Sequence, residues 1–218
     1  MSLGRRLTAE ALGAGLLVST IVGSGIMAER LAGGNQALAL LCNALATGAV
    51  LVVIVTIFAP ISGAHFNPAV SAVFAWRGAL SPRDLAAYVA AQLFGGVAGT
   101  VLAHFMFGLA PLAIGDHGRN GAGQWLGEVV ATFTLVLVIV TGIRNAPKAL
   151  PWLVGLTIVA AYWFTSSTSF ANPAVTLARG FTATFAGIAI GDVPGFVIAQ
   201  LAGAAIAAAV AAALLREG

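Results

Sequence analysis

The stretch "HFNPAVSAVFAWRG", residues 65–78, shares Asn-Pro-Ala-Val with the stretch "SFANPAVTLARGFT", residues 169–182. Asparagine is a favoured helix N-cap, and proline suits the first helical position because an N–H there would have no partner. Each motif therefore predicts the start of a helix. The apolar run from Pro68 to Trp76 spans only about 13 Å at 1.5 Å per residue, roughly half of a bilayer's hydrocarbon core. The run from Pro173 to about Phe181 is equally short, so both motifs predict half-helices.

The composition places these motifs in a membrane protein. Of the 218 residues, 60% are hydrophobic and 8% are charged, and the mean hydropathy is +1.00. Such a chain has too little polar surface to cover a soluble globule of its size. Six segments are long enough to cross the bilayer as helices, at about 7–28, 36–59, 84–107, 125–143, 150–168 and 194–215.

The charged residues indicate how the chain lies in the bilayer. With both termini in the cytoplasm, most basic residues fall on the inner side, which agrees with the positive-inside rule. The inner set is Arg5, Arg6, Arg77, Arg83, Arg144, Lys148 and Arg216, and the outer set is Arg30, Arg119 and Arg179. The first segment lacks a cleavage pattern, so we expect a retained helix in a multi-pass protein of the inner (plasma) membrane. No basic cluster is interleaved with aromatics, which argues against a nucleic-acid partner.

Further landmarks repeat in the same order as the two motifs. "TAEALGAGLLV" and "AAQLFGGVAG" flank the first motif, and "LGEVVATFTLV" and "IAQLAGAAIA" flank the second. They pair Glu10 with Glu128 and Gln92 with Gln200. We interpret 1–218 as one transmembrane domain, with a first repeat at 1–110 and a second at 121–218. Three spans per repeat, an odd number, give the repeats opposite orientations in the membrane.

An inverted repeat brings the two half-helices together from opposite faces of the membrane. Their N-termini then meet near the midplane. Non-helical backbone at that depth is tolerated only where protein buries it or a watery cavity meets it. The sequence therefore predicts an all-α membrane protein with six transmembrane helices, two re-entrant half-helices and a pore.

With its paired motifs, and "SGAHFNPAV" in particular, the chain resembles the aquaporin and aquaglyceroporin family, the major intrinsic proteins. The resemblance implies a passive channel for small neutral solutes, a homotetramer in the lipid bilayer with one pore per protomer, and no cofactor. The pore motifs would be Asn67, Pro68 and Ala69 with Asn172, Pro173 and Ala174. In the family the two asparagine amides donate hydrogen bonds to the permeant solute, and backbone carbonyls before each motif accept hydrogen bonds from it. The positive N-terminal ends of the half-helices raise the energy of any cation in the pore.

The two glutamates within the spans leave two interpretations open. Ionisable groups inside a membrane are candidates for proton transport. The resemblance favours a structural role for Glu10 and Glu128, as acceptors of hydrogen bonds from the re-entrant loops.

His65 could gate the pore or titrate in it, although packing beside the pore is the favoured interpretation. Gly95 and Gly99 are spaced as in close helix contacts.

The outer constriction departs from the family pattern. Most relatives carry arginine directly after the second Asn-Pro-Ala, where this chain has Val175. The other expected filter positions are Thr47, Ser169 and either Tyr162 or Ala160. Such a filter is wide, with mostly small uncharged side chains.

Arg179 lies four residues beyond Val175 and hence on nearly the same helix face. We expect it in the outer vestibule. Two alternatives are an ion pair with Asp192 and an outward path to the headgroups.

The substrate expectation comes from overall resemblance. The first 35 residues and "FANPAVTLARG" resemble bacterial aquaglyceroporins of arsenic-resistance operons, which implies arsenite as a substrate. The alternatives are a water or glycerol facilitator and, from another class, a coupled secondary transporter. An enzyme is not expected, because His65, His104 and His117 are scattered without the spacing of metal ligands or of a catalytic constellation.

Overall fold

The computed structural model describes residues 1–215, so Arg216 and the end of the second predicted repeat lie outside the described residues. Within that range the chain is helical and contains no strand. The first four helices are α1 (Leu3–Leu31), α2 (Gln36–Ser62), α3 (Pro68–Trp76) and α4 (Pro82–Met106). The next four are α5 (Ala122–Asn145), α6 (Leu150–Phe164), α7 (Pro173–Arg179) and α8 (Val193–Leu214). This order confirms the predicted fold of six membrane helices and two half-helices.

The fifth predicted span is shorter than the sequence indicated. Five helical segments are long and apolar enough to cross a membrane: α1, α2, α4, α5 and α8 with the single 3₁₀ turn before it. The remaining helix, α6, has 15 residues, or about 22 Å, and follows a 3₁₀ turn at Pro147–Ala149. It ends at Phe164 rather than at residue 168, because residues 165–171 leave the helix to approach the second motif.

Small residues let the membrane helices approach closely. A methyl group on Gly95 of α4 would overlap the carbonyl oxygen of Ala11 on α1, and one on Gly99 would overlap that of Gly15. These contacts confirm that the two glycines lie between spans. Gly203 of α8 meets the backbone of α5 at Val129 in the same way. The helix pairs α1–α4 and α5–α8 are thus corresponding contacts in the two halves.

The two half-helices begin where the motifs predicted. The Asn67 side chain accepts hydrogen bonds from the N–H groups of Ala69 and Val70, at 2.9 and 3.5 Å. The Asn172 side chain caps α7 in the same way, with the N–H of Ala174 at 2.9 Å. Both prolines occupy the first helical turn. The capping chemistry read from the sequence therefore sets both helix starts.

The outward faces of the long helices are apolar. Phe94 on α4 and Ile198 on α8 are 73% and 69% exposed. Exposing apolar side chains of this size to water would cost free energy. Lipid chains or neighbouring subunits would cover them in a membrane.

The close contact between α1 and α4 leads to a stability prediction. Gly95→Ala should lower the free energy of unfolding by about 1–3 kcal/mol, because its methyl group meets backbone that has little room to move. Gly123→Ala is the matched control, since that helical glycine has open space around it. Thermal unfolding in detergent measures both variants. Equal midpoints for the two would contradict the close packing of these helices.

Candidate channel and its constriction

A cavity runs between the two halves and collects side chains from both. Its polar lining includes both motif asparagines, Asn67 and Asn172. Apolar walls come from the long helices, for example Leu17 on α1 and Ile158 on α6. A mostly apolar passage with a few convergent polar groups is the usual form of a site for small molecules.

Reciprocal hydrogen bonds join the two motif segments that line this cavity. The Asn67 amide nitrogen donates to the carbonyl of Ala171 at 2.7 Å, and the Asn172 amide nitrogen donates to the carbonyl of Phe66 at 2.8 Å. A side-chain amide carries two N–H donors. Each asparagine therefore retains one further donor after binding the opposite loop.

Glu10 lies entirely out of solvent and holds the first re-entrant loop. Its carboxylate accepts hydrogen bonds from the N–H groups of His65 and Phe66 at 3.0 and 2.7 Å. The Ser62 hydroxyl and the Gln92 amide donate to it at 2.6 and 2.7 Å. These four donors occupy both oxygens, so the carboxylate organises the loop backbone.

Glu128 has the equivalent contacts in the second half. The N–H groups of Phe170 and Ala171 each donate to it at 2.8 Å, and the Gln200 amide donates at 2.6 Å. Gln200 also donates to the Thr176 hydroxyl of α7. Each carboxylate thus connects a membrane helix, a loop and a half-helix in its own repeat.

The loops held by these carboxylates have unusual backbone geometry. Five non-glycine residues of the described chain have positive φ between 50° and 59°: Ala64, Phe66, Thr168, Ser169 and Ala171. All five lie in the two segments that precede the motifs. Left-handed backbone is uncommon for side chains other than glycine, asparagine and aspartate, and it persists only where the surroundings enforce it. The glutamate hydrogen bonds supply part of that enforcement.

The expected filter residues Thr47, Tyr162, Ser169 and Val175 all line the cavity. Thr47 donates to the carbonyl of Asn43 at 2.8 Å, and its hydroxyl lies 3.2 Å from that of Tyr162. Tyr162 is 2% exposed, whereas Ala160 lies on the exposed surface of α6. Of the two alternatives left open by the sequence, Tyr162 is the one beside the cavity.

Arg179 occupies a different place from either alternative, the ion pair or the outward path. Its side chain is buried and lines the same cavity as Val175. The guanidinium carbon lies 3.3 Å from the centre of the Phe170 ring, and Nε donates to the carbonyl of Ala186. Asp192 instead accepts hydrogen bonds from the backbone N–H of Arg119 and from Asn120. Pairing with Asp192 and snorkelling are therefore both wrong, because the ring and the carbonyl draw the guanidinium inward.

His65 packs beside the cavity. Its ring stacks on Phe74 with 4.6 Å between centroids, and Nδ1 lies 3.0 Å from the Ser71 hydroxyl. The ring thus contacts α3, while the backbone N–H of the same residue donates to Glu10.

The sequence did not predict the role of Phe170. The guanidinium carbons of Arg179 and Arg119 lie 3.3 and 5.1 Å from the centre of its ring. No sequence pattern marks a ring that two distant arginines share.

Fold, motif pairing and cavity define a polytopic membrane channel, and comparisons give its family. Residues 1–150 match the sequence model of the family described as major intrinsic protein. The chain is 63% identical over 207 residues to aquaglyceroporin AqpS of Rhizobium meliloti (strain 1021), covering 95% of this chain and 88% of that protein. An aquaglyceroporin of Toxoplasma gondii (strain ATCC 50611 / Me49) is 35% identical over 172 residues, 75% of this chain and 60% of that protein.

A solved structure gives the same fold. The X-ray structure of the aquaglyceroporin from Plasmodium falciparum superimposes with a TM-score of 0.78 at 20% identity, covering 95% of each chain. This chain belongs to the major intrinsic protein family. It is a membrane channel of the aquaglyceroporin type, a class that passes small neutral solutes, and it is not an enzyme.

The contacts of Glu10 lead to a prediction about charge in the scaffold. Glu10→Gln replaces one acceptor oxygen with an N–H₂ group that faces existing donors, so the folded state should lose about 1–3 kcal/mol. Neutral-solute flux should persist in the folded fraction. Thermal unfolding and proteoliposome flux measure the two effects, and Glu29→Gln on the exposed end of α1 is the control. Unchanged stability, with loss of a proton-driven component of transport, would contradict the scaffold role.

Proposed function

We propose that the channel conducts arsenite and related trivalent metalloid hydroxides by passive diffusion. One observation carries the proposal: a valine, Val175, stands after the second motif where most relatives have arginine, and it lines the cavity with the short side chains of Thr47 and Ser169. Arsenite is a neutral, polyol-like trihydroxide at neutral pH. It therefore presents hydroxyl groups to the lining much as glycerol does.

The polar groups along the cavity suit a chain of hydroxyl groups. The remaining amide donors of Asn67 and Asn172 would bind permeant oxygens, one from each half. Backbone carbonyls of residues 63–66 and 168–171 would accept hydrogen bonds from the same solute. Two half-helix ends with positive partial charge face the centre, which raises the cost for protons and other cations.

The assembly and orientation belong to the same proposal. We infer a homotetramer in the inner membrane with both termini in the cytoplasm, built from repeats at 1–110 and 121–218. The apolar outward faces of the helices support burial in lipid or against other subunits. The distribution of basic residues supports the orientation.

A facilitator of glycerol or water is the second candidate. Its support is that two relatives are aquaglyceroporins, a name that indicates glycerol for those proteins. A coupled secondary transporter has less support. The two fully buried acids among the described residues, Glu10 and Glu128, are occupied by loop backbone and glutamine donors, so neither is free to bind a coupling ion.

Reconstituted protein distinguishes the first two candidates. Proteoliposomes are incubated with arsenite, and the arsenic taken up is measured by elemental analysis. Glycerol and water flux are followed by stopped-flow light scattering after the proteoliposomes are mixed with glycerol or with a medium of higher osmolarity. The proposal expects arsenite entry well above that of empty liposomes and at least comparable to glycerol entry. Glycerol and water flux with arsenite entry at the background level would leave only the facilitator.

The position of Val175 gives a selectivity prediction. Val175→Arg adds a long side chain and a fixed fork of donors to the constriction. Arsenite and glycerol flux should fall much more than water flux, since steric exclusion rises steeply with solute size. Val175→Met is the control that adds bulk without charge. An unchanged ratio of arsenite to water permeability in Val175→Arg would mean that residue 175 does not line the constriction.

The paired asparagines give a prediction about cation exclusion. Asn172→Asp places a carboxylate where the half-helices meet, so proton or sodium leak should rise. Asn43→Asp is a matched control, because Asn43 is equally buried and donates to a backbone carbonyl at 2.8 Å but does not line the cavity. Ion-sensitive dyes in proteoliposomes measure the leak. Equal leak in both variants would contradict a mid-channel position for Asn172.

A further inference from the structure

Arg179 is a buried cation without a counter-ion. Only 2% of the residue is exposed, and Nη1 has no hydrogen-bond partner. Within residues 1–215, no carboxylate lies within ion-pair distance of its guanidinium. The nearest candidate from sequence, Asp192, binds the Arg119 backbone and Asn120 instead.

Such a charge needs compensation. Removing a cation from water is costly unless an opposite charge and hydrogen bonds replace the lost solvation. The Phe170 ring offers its negative face to the guanidinium, and Ala186 accepts from Nε. Neither contact uses Nη1 or supplies a negative charge, and the Glu128 carboxylate acts on the guanidinium only from beyond ion-pair distance.

A second buried donor, on Ser169, is also unpaired. The Ser169 hydroxyl is buried, at 3% exposure, and has no hydrogen-bond partner. Ser169 immediately precedes Phe170, on whose ring the guanidinium lies, and Ser169 and Arg179 line the same cavity. Buried polar groups without partners in the protein are uncommon and call for a ligand or water to bind them.

Arg119 strengthens the positive field in this region. Its guanidinium carbon lies 5.1 Å from the centre of the same Phe170 ring. Nε donates to the carbonyl of Gly187 at 2.9 Å, and the side chain forms no ion pair. Two arginines therefore share one aromatic ring, and neither contacts a carboxylate through its side chain.

We propose that the guanidinium of Arg179 and the hydroxyl of Ser169, two groups of residues that line one cavity, form a binding subsite for a small monovalent oxoanion inside the channel. A planar oxoanion offers several acceptor oxygens, which fit a guanidinium N–H and a hydroxyl together. One negative charge would pair directly with the Arg179 guanidinium, which no carboxylate of residues 1–215 contacts. Because the subsite lines the route of neutral solutes, an anion bound there obstructs their passage. Only that last consequence depends on the proposed function.

The test uses nitrate, which is planar, monovalent and not protonated near neutral pH. Glycerol permeability of proteoliposomes is measured while sodium nitrate replaces sodium gluconate at constant ionic strength, gluconate being too large to enter. We expect a saturable fall in the wild-type channel. Arg179→Gln should raise the half-inhibitory nitrate concentration about tenfold or more, and Ser169→Ala should raise it severalfold. Arg30→Gln, which removes an exposed charge, should leave the concentration unchanged.

Nitrate binding to the purified protein, measured by titration calorimetry in detergent, separates the subsite from conduction. Binding weakened by Ser169→Ala supports the subsite even if no solute flux is found, in which case only the proposed function fails. If glycerol flux is intact but nitrate neither inhibits it in a saturable way nor gives heat of binding, the subsite is overturned. An unchanged nitrate affinity in both variants also overturns it. If Arg179→Gln does not fold, the wild-type titration and Ser169→Ala decide the question.

Discussion

The reciprocal hydrogen bonds between the two re-entrant segments are the contact on which the rest of this molecule depends. Asn67 binds the carbonyl of Ala171, and Asn172 binds the carbonyl of Phe66. Each asparagine simultaneously caps its own half-helix. A single side chain therefore starts a helix, ties it to the other half and still has a donor to spare. If either asparagine moved, both half-helices would lose their register at the centre of the cavity.

That central contact requires backbone that does not form unaided. Five non-glycine residues in the left-handed region carry the chain into the motifs. The buried carboxylates of Glu10 and Glu128 hold this backbone by accepting its N–H groups. The rare acids of an apolar protein are thus used for architecture. This use explains how an otherwise apolar membrane protein can contain two buried carboxylates.

Much of this arrangement could be predicted from the sequence because its causes are local or repeated. The Asn-Pro pairs specify helix starts wherever they occur, and the duplicated Glu and Gln landmarks identify their partners by symmetry. The end of α6 could not be predicted in this way, since the apolar run continues past Phe164 and only the tertiary contacts of the loop stop the helix. The sequence left Tyr162 and Ala160 as alternatives, because aligning along the fifth span and counting back from Asn172 give positions that differ by two residues.

The direction of the Arg179 side chain could not be predicted for a similar reason. Helical spacing correctly puts Arg179 on the face of Val175, but its final direction depends on the Phe170 ring and the Ala186 carbonyl. Both partners lie in irregular segments whose paths carry no sequence signature. As a result, a constriction that the sequence describes as mostly small and uncharged has a guanidinium on its wall. The wall of the constriction therefore depends on contacts with irregular segments as well as on the motif.

A channel of this kind should let solutes cross by diffusion, without coupling to an ion gradient. The decisive measurement is initial glycerol flux in proteoliposomes over a wide concentration range, with and without imposed proton gradients and membrane potential. We expect flux that is proportional to the glycerol gradient, does not saturate, and is independent of pH difference and voltage. Saturating flux that responds to either driving force would contradict a channel and would require the coupled transporter.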